Sequence, residues 1–187
     1  MTASVSSLRV ANQMGALTRY LADHQEAALD AELGLSGEAA AAVVAIDAFP
    51  GERVAFFAPI LGLTSAGIVR LVARLEARGL VNRQPGPDGR SHALRLTDHG
   101  ASALSRIHEA RRAVLDGALS PLDDDDVRQL ERLLVRVLRH LPADRTAARR
   151  MCRLCDHDIC DAANLCPVDN ALTAAGHADW TPPSHAT

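Results

Sequence analysis

The 187-residue sequence predicts a mainly α-helical protein with one short β-hairpin. Three observations support this fold class. Apolar residues recur at helical spacing through most of the chain. Glycine and proline divide that pattern into segments of helix length. Residues 80–83 and 93–96 instead form two short strand-like runs on either side of the turn-forming sequence 84–90.

The predicted elements run in the order helix, helix, short helix, helix, hairpin, helix, helix. Gly34 ends the first helix, and Ser36 begins an alanine-rich second one. Thr64 is a favourable N-cap for the fourth helix. The last helix begins at an acidic run and carries apolar residues spaced 3, 4, 3, 4, a pattern typical of a coiled-coil-like packing face. Pro142 ends this helix, and residues 143–150 are compatible with its continuation.

The charge distribution indicates a polyanion-binding surface on an acidic protein. The net charge is −3, and every basic residue apart from histidine is an arginine. Between residues 64 and 95 there are six arginines and two acidic residues, whereas the remaining segments carry an excess of acid. A basic island of this kind is typical of proteins that bind nucleic acid.

A short helix, a turn at Gly62, a helix with an arginine face and a basic hairpin together predict a winged helix-turn-helix. Small residues at the start of the second helix allow close approach to the major groove, and the arginines beyond them suit guanine or phosphate. An arginine at the hairpin tip suits the minor groove. The predicted DNA-binding residues are Thr64, Ser65, Ala66, Gly67, Arg70, Arg74 and Arg90.

The sequence LGLTSAGIVRLVARLEARGLV at 61–81 resembles the recognition helix and first wing strand of the MarR family of bacterial transcription regulators. Asp88-Gly89-Arg90 matches the family's wing motif, and the resemblance covers roughly residues 8–142. It implies a homodimer built from the first and last two helices, which binds double-stranded DNA at a pseudo-palindromic operator and usually represses. Pro59 departs from the family pattern, and we expect it to kink the short helix.

All four cysteines lie in one short stretch with the spacing C-x2-C-x4-C-x5-C, at Cys152, Cys155, Cys160 and Cys166. Thiolates this close repel one another unless a metal, a cluster or disulfides neutralise them. In a reducing cytoplasm, metal binding or redox sensing is favoured over structural disulfides. We expect Arg149, Arg150 and Arg153 to lower the pKa of these thiols.

Three kinds of site fit the cysteines. The first is an iron–sulfur cluster, because the segment resembles the cluster-binding tail of redox-sensing MerR-type regulators, although that family has a shorter middle spacing. The second is a tetrahedral zinc site that clips the segment together. The third is a metal-free thiol switch, which requires no cofactor. Ligand type and spacing alone do not choose among them.

The predicted organisation is an N-terminal dimerisation helix at 1–35, a winged helix-turn-helix at 36–100 and dimerisation helices at 101–142. A cysteine-rich metal or redox segment at 143–170 and a disordered tail at 171–187 follow. The chain lacks a signal peptide pattern and a membrane-length apolar run, so we expect a cytoplasmic protein without a membrane partner. The sequence shows no recognisable catalytic grouping, so we do not expect an enzyme.

The leading hypothesis is a dimeric repressor whose cysteine segment senses redox state or metal. Because this segment follows the last dimerisation helix, a change in the site would tilt the dimer and move the two recognition helices off their half-sites. The alternative is a repressor that responds to a small-molecule effector, in which the four cysteines hold only structural zinc.

Overall fold

A computed structural model describes residues 4–85, 92–161 and 166–174 of the chain. Within these ranges there are nine helices and one two-stranded antiparallel sheet. The helices are α1 (Val5–Leu33), α2 (Gly37–Ala48), α3 (Val54–Leu61), α4 (Ser65–Ala77), α5 (Asp98–Leu119), α6 (Asp124–Leu138), α7 (Arg145–Met151), α8 (His157–Asp161) and α9 (Pro167–Ala174). The strands are β1 (Val81–Pro85) and β2 (His92–Leu96). The mainly α fold class with one β-hairpin is therefore confirmed.

Side-chain caps begin the helices where the sequence places them. The hydroxyl of Ser36 accepts a hydrogen bond from the backbone N–H of Ala39, and Thr97 caps α5 in the same way. Gly34 ends α1 in the left-handed conformation, with φ of 57°. These caps satisfy backbone groups that have no partner inside the helix, which is why these residue types mark the helix ends.

Helix α2 forms the centre of the protein. It is apolar on every side, and its residues from Ala39 to Ile46 are at most 7% exposed. A helix without a polar face must be surrounded, and α1, α3, α5 and β2 pack around it. The core thereby joins the base of the long first helix to the helix-turn-helix.

The hairpin is tied to the rest of the fold at both ends. β1 and β2 pair from Val81 opposite Leu96 to Pro85 opposite His92. Arg53, just before α3, makes an isolated bridge to Ala93, so β2 also has a partner that the sequence did not predict. The tip of the hairpin, which includes the predicted DNA-binding residue Arg90, lies outside the described residues.

The structure corrects the sequence analysis in the C-terminal region. Residues 143–150 do not continue α6, because Asp144 caps a separate helix, α7, through the backbone N–H of Ala147. The predicted disordered tail does not begin at residue 171, because α9 runs on to Ala174. Its residue Leu172 is 3% exposed and packs in a small cluster with Val168 and Ala148. Residues 175–187 lie outside the described part of the chain.

Helix α3 contains Pro59 and continues past this residue to Leu61.

Within the described ranges, no single helix has the length and apolar character needed to cross a membrane. Helices α3 and α4 reach that standard only as a pair, and that pair is bent by 109°.

Candidate nucleic-acid interface and cysteine site

Helix α4 presents two faces of opposite character. Its apolar residues Ile68, Leu71, Val72 and Leu75 are at most 1% exposed, and they lie in the core. Thr64, Ser65 and Ala66 at its start are exposed, and so are Arg70 and Arg74 further along. The helix therefore offers small residues, hydroxyls and two cations to solvent on a rigid support.

The turn that leads into α4 has a defined geometry. Gly62 ends α3 in the left-handed conformation with φ of 68°, which an L side chain rarely adopts. The hydroxyl of Thr64 then accepts a hydrogen bond of 3.1 Å from the backbone N–H of Gly67. Gly67 is half-buried, and a Cβ built on it would lie 3.3 Å from that hydroxyl. Its predicted role in close approach to DNA is therefore accompanied by a packing role.

Two arginines of the basic island stabilise the fold. Arg78 belongs to the same sequence repeat as Arg70 and Arg74, but its guanidinium donates hydrogen bonds of 2.8 Å to the carbonyls of Leu33 and Gly34. It thus holds the end of α1 instead of sharing the free face of α4. Arg83 on β1 forms an ion pair of 2.9 Å with Glu76. Within the described part of the island, Arg70 and Arg74 are the cations that α4 presents.

Comparison with known proteins identifies the family. Residues 33–91 match the MarR family. Over 75 residues the chain is 32% identical to the HTH-type transcriptional repressor IacR of Pseudomonas putida; the match covers 40% of this chain and 45% of that repressor. The winged helix-turn-helix is of the MarR family. The match to IacR spans less than half of that repressor's length.

Solved structures show the same fold. The YusO protein from Bacillus subtilis matches with a TM-score of 0.62 at 18% identity, over 74% of this chain and 99% of that one, and shows the same fold. The PcaV regulator from Streptomyces coelicolor, solved with its natural ligand, matches with a TM-score of 0.50 at 27% identity, over 73% and 96% of the two chains. Helices α1 to α6 and the hairpin, which we call the MarR-type unit, thus have the expected architecture.

The four cysteines line one cavity. Cys152, Cys155, Cys160 and Cys166 are half-buried and lie around a space of about 30 Å³. They come from the end of α7, the turn after it, α8 and the residue before α9. The cavity is closed on its other side by Ala45, Phe49 and Ile60 of the MarR-type unit. The structure therefore brings together all four residues that the sequence singled out.

The thiols perturb one another. A hydrogen bond with Cys152 lowers the pKa of Cys155 to about 7, with Arg111 acting in the same direction. The pKa of Cys152 is raised by its hydrogen bonds with Cys155 and Cys166 and by burial. Cys152 thus behaves as the proton donor of the group and Cys155 as its most acidic thiol.

The arginines near the thiols differ in part from those that the sequence indicated. Arg149 and Arg153, which the sequence predicts to lower the pKa of the thiols, line the cavity together with Arg145. The arginine that lowers the pKa of Cys155 is Arg111 on α5, which lies more than forty residues away in sequence. Sequence reasoning missed Arg111, because its periodicity marks it only as a polar residue of a helix.

Arg149 is held in an unusual environment. Its guanidinium carbon lies 5.1 Å from the ring centroids of both Phe49 and Phe56, a cation–π arrangement. Burial lowers its pKa, and the neighbouring Arg145 lowers it further. The Nε of Arg149 is buried and has no hydrogen-bond partner among the described residues. A buried cationic donor beside four thiols suits an anionic group in this cavity.

Charged contacts fasten the cysteine segment to the rest of the protein. Asp156, next to Cys155, lies 3.4 Å from Nη2 of Arg112 and 3.6 Å from Nδ1 of His108, both on α5. Burial lowers the pKa of His108, while Asp156 acts in the opposite direction. Arg145 on α7 forms an ion pair with Asp169 on α9. These contacts fix both sides of the cavity.

The donor set fits a thiolate-bound metal centre by its chemistry. Four cysteines face one small cavity, and such a set is used by both zinc and iron–sulfur clusters. A centre of either kind carries net negative charge, which the orphaned donor of Arg149 would balance. Within residues 4–85, 92–161 and 166–174, no three His, Cys, Asp or Glu side chains already form a metal-binding group. Residues 162–165, which join the last two cysteines, lie outside the described residues.

Proposed function

We propose that this protein is a MarR-type transcriptional regulator that binds double-stranded DNA and acts as a repressor. The observation that carries the proposal is the division of α4 into a core face and an exposed face with Arg70 and Arg74. An exposed N-terminus with small residues allows the helix to enter the major groove, and the arginines bind guanine or phosphate there. The similarity to the repressor IacR supports the direction of regulation.

The regulator acts as a homodimer. Helix α6 has no buried residue within one protomer, although Leu133, Leu134 and Val137 are apolar. The first half of α1 also exposes apolar side chains, since Leu8, Met14 and Leu17 are each about half exposed. Apolar helix faces of this extent are characteristic of an interface. A twofold dimer presents two recognition helices, which match a pseudo-palindromic operator.

DNA binding is tested with a duplex from the region upstream of the protein's own gene, by fluorescence anisotropy over a range of salt concentrations. We expect Arg70→Ala and Arg74→Ala each to weaken binding by about 1–3 kcal/mol if they contact bases. If they contact phosphate, the salt slope falls by about one per residue. Arg139→Ala, which removes an exposed arginine at the end of α6, is the matched control. Equal affinities for all four proteins would contradict the proposal.

We further propose that the four cysteines hold a metal centre through which the regulator senses redox state or metal supply. Cys152, Cys155, Cys160 and Cys166 would bind either an iron–sulfur cluster or zinc. A cluster supplies reversible one-electron chemistry or oxidant lability, and zinc supplies a site that is lost on thiol oxidation. The protein's own residues bring the thiols together, line the cavity with the apolar side chains of Phe49 and Ile60, and place the charge of Arg149 at the same cavity.

The metal is identified on protein purified without oxygen, from its metal and sulfide content and its absorption spectrum. Iron with acid-labile sulfide and visible absorption identifies a cluster. A colourless protein with about one zinc per chain identifies a zinc site. A metal-free protein whose DNA affinity changes with peroxide and is restored by dithiothreitol would contradict the metal centre and identify a thiol switch instead. A metal-free protein that is insensitive to oxidants would contradict the proposal.

A second candidate function is regulation by a small-molecule effector, with structural zinc at the cysteines. The similarity to PcaV, whose structure contains its natural ligand, favours this alternative. Release of the operator by a phenolic compound, together with unchanged affinity after oxidation, would support it against the redox proposal.

A further inference from the structure

The cysteine cavity is shared between the C-terminal segment and the MarR-type unit of the same protomer. Ile60, in the last turn of α3, lines it directly, and so does Phe49 at the end of α2. Leu154, between the first two cysteines, packs against the main core. The sequence instead predicts a site beside the dimerisation helices. The structure retains a contact of that kind, because α9 packs against α6, but it adds a direct one to the helix-turn-helix.

Helix α7 connects the thiols to α3. Cys152 is its C-cap, and the backbone N–H of Cys152 donates a hydrogen bond of 2.9 Å to the carbonyl of Ala148. The helix packs along α3. Since the first cysteine ends α7, a change in the position of that cysteine moves the end of a helix that already lies against the DNA-binding motif.

Two neighbouring arginines of α7 contact the cysteine cavity and the turn of the helix-turn-helix. Arg149 stacks on Phe49 and Phe56 and also faces the cavity. Arg150 points to the turn of the helix-turn-helix, because a Cβ built on Gly62 would lie only 2.7 Å from its Nη2. The carbonyl of Arg150 accepts a hydrogen bond of 2.6 Å from Arg153, which lines the cavity as well. One turn of α7 thus touches the thiol site and the turn before α4.

We propose that the state of the cysteine site is transmitted to the recognition helix within one protomer, through α7 and the contact between Arg150 and Gly62. This inference rests on the proposed sensing function. Gly62 ends α3, and Thr64 caps α4 two residues later, so a shift of Gly62 changes the angle between the two helices. Arg149 and Arg150 are positioning residues in this route: Arg149 holds α7 on the aromatic rings, and Arg150 carries the displacement to the turn.

The test compares the Kd for the upstream duplex in two states of the same protein. In one state the site is intact, as purified without oxygen; in the other it is disrupted with a chelator or peroxide. We expect the two Kd values of the wild-type protein to differ by about tenfold or more, and those of Arg150→Ala to differ by less than about threefold. Because Arg150 is exposed, we expect Arg150→Ala to keep the fold and the metal content of the wild-type protein, and both are measured alongside the Kd.

Arg139→Ala is the control for charge, and we expect it to keep the wild-type ratio of Kd values. A full response in Arg150→Ala would overturn the route while leaving the sensing function intact. If the Kd of the wild-type protein is the same with the site intact and disrupted, both the route and the sensing function are overturned. Metal content and redox response measured on the wild-type protein therefore separate the two failures.

Hydrogen exchange gives a second measurement that needs no variant. The backbone N–H of Leu63 bonds to the carbonyl of Ala58 across the turn, and that of Arg139 bonds to Val135 at the end of α6. When the site is disrupted, we expect faster exchange at Leu63 than in the intact protein, with a smaller change at Arg139. A change confined to α6 and α1 would place the route through the dimerisation helices and overturn the proposal.

Discussion

The MarR-type unit and the cysteine segment, residues 144–174, are stabilised in different ways. The first shares a continuous apolar core in which α2, α3, α4 and the hairpin all take part. The described part of the second has only three buried apolar residues, Ala148, Val168 and Leu172. It is held instead by ion pairs and by the stacked Arg149. The winged helix-turn-helix is therefore stabilised by its own apolar packing, whereas the cysteine segment depends mainly on polar contacts.

The strongest way to break the recognition unit is to open its core. Leu71→Ala removes a side chain that is 1% exposed, and we expect a loss of about 2–5 kcal/mol from the free energy of unfolding. Val69→Ala on the same helix, where the side chain is 52% exposed, is the control; we expect a change within about 0.5 kcal/mol. Urea denaturation followed by circular dichroism measures both. Similar losses in the two variants would mean that α4 is not anchored as described.

A close backbone contact joins the start of α5 to Leu80, the residue before β1. A Cβ built on Gly100 would lie 2.0 Å from the carbonyl oxygen of Leu80, so we expect Gly100→Ala to destabilise the protein by about 1–3 kcal/mol. Gly117, in the same helix, has no atom within 4 Å of its added Cβ. We therefore expect Gly117→Ala to stabilise the protein by up to about 1 kcal/mol. Thermal unfolding measures the stability of both variants. An equal change in the two would contradict the close contact between Gly100 and Leu80.

In the cysteine segment, we expect the loss of an ion pair to weaken the docking of α9 on α7. Asp169 pairs with Arg145, and both side chains are mostly buried, at 22% and 16% exposed. We expect Asp169→Asn to weaken the docking of α9 by about 1–3 kcal/mol. Faster hydrogen exchange in α9 and α7, with unchanged exchange in α2, would be the result. Asp125→Asn, in an exposed pair with Arg128, is the control and should change neither region. Equal loss of protection in α2 would show that the segment does not open separately.

The smallest effect concerns the reactivity of one thiol in metal-free, reduced protein. The thiolate is the reactive form, and the pKa of Cys155 is about 7 instead of 9.0. Alkylation of Cys155 by iodoacetamide should therefore rise with pH through a midpoint near 7, well before Cys152, whose pKa is raised. Cys152→Ala removes the hydrogen bond and should move that midpoint upwards. Peptide mass spectrometry follows each cysteine, and an unchanged midpoint in the variant would contradict the assigned cause.

Much of the recognition unit was predictable because its signals are local. Thr64 caps α4, as its residue type and position predict. The spacing of the apolar residues from Ile68 to Leu75 correctly predicts which face of α4 is buried. The role of Arg78 was not predictable in this way. Its repeat with Arg70 and Arg74 suggests a shared free face, but its partners are carbonyls more than forty residues earlier. The DNA-binding roles of Thr64 to Arg74 and of Arg90 remain predictions.

The order of the helices, the helix-turn-helix and the grouping of four thiols follow from the sequence alone, because caps, periodicity and spacing act over a few residues. The position of the four thiols in the fold follows only from tertiary contacts. It folds α7 back onto α3, sets Arg150 against Gly62 and brings Arg111 to Cys155. Those contacts join residues far apart in sequence, and they depend on which surfaces remain to be covered once the core has formed.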